Sequence, residues 1–423
     1  MPDELVEYEL RCRAVRLHLR GVPHGRIIAL LGRGRTWLAK WLGRFKRLGW
    51  AGLHAQSREP KGQPRRTPDK VVAAVLGVRA ELQAHRSRAS RFSGIGAEAI
   101  RLQLQRRRVH PLPGLRTIER ILERHALSGE YAPRSKSAAQ PYPAPAARRP
   151  GDLQQTDLVG PRHLRGPRGI TRFYSFHTVA VVGRAVATSQ ARSKSAEAFC
   201  AHLVRAWAWL GLPRVSQMDN EMAASGGGRH PYAFSLVMRL HLLLGVHLVF
   251  IPEGEPGRNP HIESFNDLWQ QRVLQHACLD LAALRRTDRA FLRYYHFDKP
   301  HRALQFERDA TRLPGKWLEL QRPHLPRLPE GFSLDAYRDR RAQLKLPLAR
   351  GRVSFIRKVN DHGLVHINGQ SYFIGKRLAR QYITATIYPH RQALVVKHER
   401  RVYKQFEFPV QEKLVTPLRS AKP

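Results

Sequence analysis

Between residues 152 and 251 the hydrophobic period of the chain switches repeatedly, and the order of the switches restricts the folds open to it. Residues 152–159 (DLQQTDLV) and 173–187, rich in Val, Phe and Thr, read as strands. Residues 195–210 carry Ala198, Phe199, Leu203, Ala206 and Leu210 at helical spacing, and Gly211-Leu212-Pro213 ends that run. A short strand at 215–218, a helix at 232–244 and a strand at 246–251 come next. Strands first, then strands alternating with helices, specify an α/β domain.

Two carboxylates fall at strand ends in this pattern, Asp157 and Asp219, the second followed by Asn220. A third comes after a Pro/Gly loop, in IPEGEPGRNPHIESFNDLWQQRVL (251–274). Pro260 suits the first position of a helix, where its missing N–H would have no partner anyway. Glu263 then lies in the first turn, with Phe265, Leu268, Trp269 and Val273 as the apolar stripe. A lone Glu there serves the helix dipole. Brought beside two strand-end Asp residues, it would repel them unless a cation intervened. All-oxygen ligation suits Mg²⁺ or Mn²⁺, and two such ions support attack on a phosphodiester. His230, His241, His247 and His261 cluster nearby in sequence, yet no paired Cys accompanies them, so zinc is not indicated.

Charge narrows the partners. The chain has 74 Lys+Arg against 33 Asp+Glu, a formal net charge of +41. Residues 1–150 carry +20 and residues 333–423 carry +13, which leaves +8 for the 182 residues between them. Basic flanks around a centre that keeps its carboxylates point to a polyanion, with double-stranded DNA the foremost candidate. A basic membrane-surface protein is the alternative, but no amphipathic anchor stands out. The longest apolar run, near 240–251, is too short and too often interrupted by His to span a bilayer. Three scattered cysteines, Cys12, Cys200 and Cys278, indicate a reducing, cytoplasmic compartment.

The basic N-terminal flank is helical. Residues 4–20, 23–31 and 35–48 read as three helices, with a Gly32-Arg33-Gly34 turn before the third. Leu38, Trp41, Leu42 and Phe45 form the apolar stripe of the third helix, and Arg35, Thr36, Lys40 and Arg44 fall mostly off it. This is a helix-turn-helix pattern within residues 1–55, with a plain three-helix bundle as the alternative. Residues 66–127 repeat it, with Arg116, Thr117 and Arg120 facing outward from the last helix, and 128–150 reads as a linker. Residues 350–410 hold five short alternating strands separated by turn residues, as expected for a small β-barrel that contacts phosphates. Residues 309–329 read as Pro-rich connection.

TD in LQQTD, DN in SQMDN and Asn259-x-x-x-Glu263-Ser-Phe-Asn266 resemble the DDE transposase and integrase superfamily, most closely bacterial insertion-sequence transposases. The segment DKPHRA (298–303) is similar to the one that closes the core of that family. The resemblance implies an RNase H-like catalytic core over 151–308, two helix-turn-helix units before it and a Mu-type barrel after it. It implies a DNA transposase that hydrolyses a phosphodiester and then joins the freed 3′-OH to target DNA. Asp157, Asp219 and Glu263 would hold two Mg²⁺ (or Mn²⁺) ions, one through Asp157 and Asp219, the other through Asp157 and Glu263. Asn266 and Arg272 would lie against DNA, and the protein would act as a homo-oligomer on the bacterial nucleoid. Two features depart from the family: 43 residues separate Asp219 from Glu263, and Gln270 stands where relatives often carry a basic residue. A catalytically silent DNA-binding regulator and an RNase H-type nuclease are the competing functions.

Overall fold

A computed structural model describes residues 2–56, 67–85, 90–127, 142–167, 169–221, 232–304 and 313–421. His230 and residues 128–141 lie outside these. Residues 1–68 and 69–423 form two compact units.

In the first unit, helices α1 (Pro2–Leu19), α2 (His24–Leu31) and α3 (Arg35–Leu48) pack through Val15, Ile27, Leu38, Trp41 and Leu53. Gly32 ends α2 at φ 60°, a left-handed conformation that costs glycine nothing, and so sets the short turn into α3. Arg35, Thr36 and Lys40 are exposed and Arg44 is half-buried, with Lys40 and Arg44 lying against the Trp41 ring at 5.2 and 4.9 Å.

The second unit opens with α4 (Asp69–Ala84), α5 (Ala97–Arg106) and α6 (Leu115–Arg124), which share a core of Val75, Val78, Ile100, Leu104, Ile118 and Ile121. Arg116 and Arg120 are exposed and Thr117 is half-buried. These helices pack directly on the α/β part of the unit. Phe92 inserts against Phe291 (ring centroids 5.6 Å apart), and Arg106 donates to Asp298 at 2.6 Å.

The rest of the unit is mixed α/β and is built on one large sheet. Its strands are β1 (Leu153–Gly166), β2 (Gly169–Ala180), β3 (Val186–Ala191), β4 (Val215–Met218), β5 (His247–Phe250), β6 (Val353–Lys358), β9 (Tyr382–Tyr388), β10 (Ala393–His398) and β11 (Arg401–Glu407). Their order is β11-β10-β9-β6-β5-β4-β1-β2-β3, with β1, β4, β5 and β6 parallel to one another. A separate hairpin joins β7 (Leu364–Ile367) to β8 (Gln370–Phe373). All five strands expected within 350–410 therefore form, but they do not make a separate closed barrel. The edge of β5 offers free backbone groups at Leu248–Phe250, and Val353–Phe355 of β6 pairs with them, so the C-terminal strands extend the core sheet.

Alternation sorts the side chains between two faces. Met218, Leu248, Phe250, Val353 and Phe355 point to the face covered by α7 (Ala196–Leu210) and α8 (Leu236–Leu243). Leu153, Val215, Val249, Ile356 and Tyr382 point to the other, where α9 (Pro260–Val273) and α10 (Leu281–Phe297) cover β1–β3. Two further corrections concern segments read as connection. Residues 314–321 form helix α11 (Pro314–Gln321), whose Trp317 and Leu318 are buried; the flanking prolines hide the two-turn period. Tyr142 and Ala147 of the expected linker pack on the sheet beside Tyr382.

Candidate active site

The register of the sheet brings the first two carboxylates together. Gln155 pairs with Gln217 and Thr156 with Met218, which makes Asp157 and Asp219 the next residues on adjacent parallel strands. Both point to the α9 face by alternation. Strand β1 runs on past Asp157 with a register shift between Val159 and Arg162, so Asp157 lies just past the part paired with β4 and not at the end of the strand.

The two glutamines beneath these carboxylates fix the start of α9. Gln155 Oε1 accepts the backbone N–H groups of His261 (3.1 Å) and Ile262 (3.3 Å), two of the donors a helix start leaves without an internal partner. Gln217 Nε2 donates to Arg258 O (2.9 Å) and Asn259 Oδ1 (2.8 Å). One turn later Glu263 is half-buried on the same side. Its carboxyl is raised above the usual range, first by burial and then by Asp267.

Asp157 accepts from its neighbour Leu158 N at 2.8 Å and from Asn266 Nδ2 at 2.6 Å. Asn266 is buried, and its Oδ1 meets His177 Nδ1 at 2.6 Å; His177 in turn meets Ser175 Oγ at 2.7 Å. Burial holds the His177 imidazole neutral, with its pKa pushed down to about 4. A neutral Nδ1–H donor would fix the amide so that its NH₂ faces Asp157. The family resemblance puts Asn266 against DNA; in the structure its amide is engaged on both sides, by Asp157 and His177.

The Asp157 carboxyl is pushed up to about 6, first by burial, next by the Asp219 charge, and further by Glu263. Asp219 is also raised, mainly by burial, opposed by the hydrogen bond from the Glu221 N–H and by Lys194, while the Glu221 charge adds to the rise. Asp219 Oδ1 accepts from Glu221 N at 3.2 Å, and Lys194 pairs with Glu221 at 2.8 Å. Beneath this loop Arg357 of β6 donates to Asn220 Oδ1 (2.7 Å) and Ile251 O (3.0 Å). Arg357, His177, Gln155 and Gln217 do not stand out in the sequence, although LQQTD and SQMDN place a Gln two residues before each Asp.

The other expected residues sit differently. His261 contacts Arg184 rather than the carboxylates, and burial followed by that cation pushes its pKa down to about 4. Arg272 is half-buried, and its Nε has no partner among the described residues. Gln270 accepts from Arg162. His241 is buried against Val237 O, and His247 Nε2 bonds Ser354 Oγ at 2.8 Å, so neither reaches the site.

Among the described residues no three His, Cys, Asp or Glu side chains stand at metal-holding spacing. The donor set nevertheless fits a hard divalent cation. Three carboxylates within electrostatic reach, one titrating near 6 through burial and its neighbours' charge, would be relieved by positive charge.

No family model and no curated protein sequence matches the chain. Among solved structures it is similar to a simian T-cell lymphotropic virus intasome in complex with the PP2A regulatory subunit B56 gamma. The identity is 15%, over 76% of this chain and 96% of that chain, with a TM-score of 0.32. It is also similar to the HTLV-2 integrase catalytic core domain in complex with magnesium, in a dimeric and a trimeric form. The dimeric form is 14% identical over 36% of this chain and 92% of that chain, with a TM-score of 0.27. These are distant similarities.

Proposed function

We propose that this chain is a divalent-cation-dependent polynucleotidyl transferase with an RNase H-like core, acting as a DNA transposase. The observation that carries the reading is the placement of Asp157 and Asp219 one residue beyond the paired Thr156 and Met218, with the start of α9, and so Glu263, pinned by Gln155 and Gln217 on the same face. Asp157, Asp219 and Glu263 would hold the cations. When bound, Mg²⁺ or Mn²⁺ supplies charge stabilisation at the attacking and leaving oxygens of a phosphodiester. The chain's own residues do the rest. Asn266, held by His177, keeps the Asp157 oxygens aimed, and Arg357 holds the Asp219–Asn220 loop from below.

The N-terminal helices fit the reading. Arg35, Thr36, Lys40 and Arg44 of α3, and Arg116, Thr117 and Arg120 of α6, would read or grip the element's terminal repeats. The buried setting of Asn266 gives it no DNA contact in this account. Work at two DNA ends would require a homo-oligomer on DNA, as sedimentation of the protein with end DNA would show. A silent regulator needs no charge repulsion among three half-buried carboxylates, and a plain nuclease needs no pair of site-reading helical units. The test is Mg²⁺- or Mn²⁺-dependent nicking at the 3′ ends of the element flanking the gene. Wild-type protein should nick there and Asp219→Asn should not. Equal DNA binding by both proteins with nicking by neither would replace the reading with the regulator.

A further inference from the structure

With β6, β9 and β10 fused to the core sheet, one face runs unbroken from the carboxylates to the C-terminal strands. Its residues can be traced by register: Gln217 opposite Val249, Val249 opposite Ser354, Ser354 opposite Thr386, and Thr386 opposite Val395. That is the face to which Asp157 and Asp219 point. On its C-terminal half lies an open groove of about 810 Å³, between Tyr142–Ala144 and the β10–β11 turn.

The floor of the groove is polar where an ordinary sheet face would be apolar. His247 Nε2 meets Ser354 Oγ at 2.8 Å, and Ser354 Oγ meets Thr386 Oγ1 at 2.8 Å, forming a ladder across three strands. Thr384 and Lys397 face each other one step along. The sides carry Arg352, Lys397 and Arg400 against a single carboxylate, Glu399, and none of the three cations makes an ion pair with a described residue. Tyr388 adds a half-buried ring. At the end toward the carboxylates, Tyr382 accepts from Arg258 at 3.0 Å, and the Arg258 carbonyl is held by Gln217. The groove and the carboxylates thus share one face of the sheet, on which Tyr142 and Ala147 also pack.

Resting on the polynucleotidyl-transferase reading above, we infer that this groove is the track for a DNA phosphodiester backbone passing the carboxylates, held by Arg352, Lys397 and Arg400. Unpaired cations around a concave polar surface suit phosphate oxygens, and contact of this kind is independent of sequence. Each phosphate neutralised adds about 0.9 to the slope of log K against log salt.

The experiment measures binding of the full chain to a duplex of arbitrary sequence by fluorescence anisotropy over a salt series. A triple variant, Arg352→Ala with Lys397→Ala and Arg400→Ala, should lower the slope by about 2.7 relative to wild type. A control with the same charge change, Arg340→Ala with Arg341→Ala and Lys413→Ala, should leave it near the wild-type value. Lys397→Met, which keeps the apolar stem and so the packing, should lower it by about 0.9. An unchanged slope in the triple variant, or an equal fall in the control, overturns the groove assignment. Strand joining by the wild type separates the two claims. Joining with an unchanged slope in the triple variant removes the groove and leaves the enzyme. A groove-dependent slope without joining removes the enzyme and leaves the groove.

Discussion

Replacing Asp157 with Asn should make the protein more stable at neutral pH, although loss of a half-buried, doubly hydrogen-bonded side chain usually destabilises. The Asp157 carboxyl titrates at about 6 in the folded chain against a reference of 3.8, so the folded state holds its proton more tightly than the unfolded state. Stability therefore falls as pH rises from about 4 to about 6, and the full penalty is present above that window. The difference corresponds to about 3 kcal/mol. Asn removes the charge that faces Asp219 and Glu263, but its NH₂ can no longer accept one of the bonds now made by Leu158 N and Asn266 Nδ2, a loss of about 1 kcal/mol. The variant should gain about 2 kcal/mol at pH 7.5 in chelator, near 3 °C in midpoint for a domain of this size. At pH 4 the gain should vanish or reverse. Paired thermal melts of both proteins at the two pH values give the difference directly, and the buried histidines that titrate in acid cancel in it. A variant no more stable than wild type at pH 7.5, or a gap that does not change with pH, would refute the electrostatic account of the site. Added Mg²⁺ should narrow the gap by stabilising the wild type alone.

Two further positions test how the carboxylates are held. Asn266→Ala strips a partner from both Asp157 Oδ2 and His177 Nδ1, and urea denaturation should show a loss of roughly 2–3 kcal/mol. Asn266→Asp would place a fourth carboxylate on the site and should abolish activity while leaving DNA binding intact, as an anisotropy titration would record. Arg357→Met removes the cation beneath the Asp219 loop and its bonds to Asn220 Oδ1 and Ile251 O, the second of which keeps Asn220 Nδ2 as donor, costing about 2 kcal/mol by the same urea measurement. If the C-terminal strands were an independent barrel, that substitution would leave the Asp219 loop untouched, and limited proteolysis near residue 220 would not accelerate.

How much the sequence reveals depends on the range over which a residue's partners lie. The three N-terminal helices, the short strand before Asp219 and the start of α9 at Pro260 come from local period, turn residues and capping, and the structure has them within a few residues, whereas the strand carrying Asp157 starts where expected but runs on to Gly166. The meeting of Asp157 and Asp219 is less direct, because it needs the parallel register of β1 and β4, which lie some sixty residues apart. The fusion of β6 to β5 is harder still. Val353–Phe355 alternates no differently from a barrel strand, and only the unpaired edge of β5 decides where it goes. Asn266 misleads for a related reason. The family resemblance assigns it to DNA, yet it lies on the buried stripe with Phe265 and Trp269 and its amide meets His177, which reads in sequence as one more residue of a strand. Helix α11 is hidden by its own composition, since Pro314 begins it and Pro323 comes shortly after its end.

The central claim is that Asp157 and Asp219 of this sheet, with Glu263 of α9, support transfer of a DNA strand. The measurement that meets it most directly is joining of a pre-cleaved element end to plasmid in Mg²⁺ or Mn²⁺, with wild type and Glu263→Gln compared at equal DNA occupancy. The account predicts joined product with wild type and none with the variant, whose amide keeps the shape of the side chain but gives up its charge. Joined product at similar rates from both proteins would contradict it.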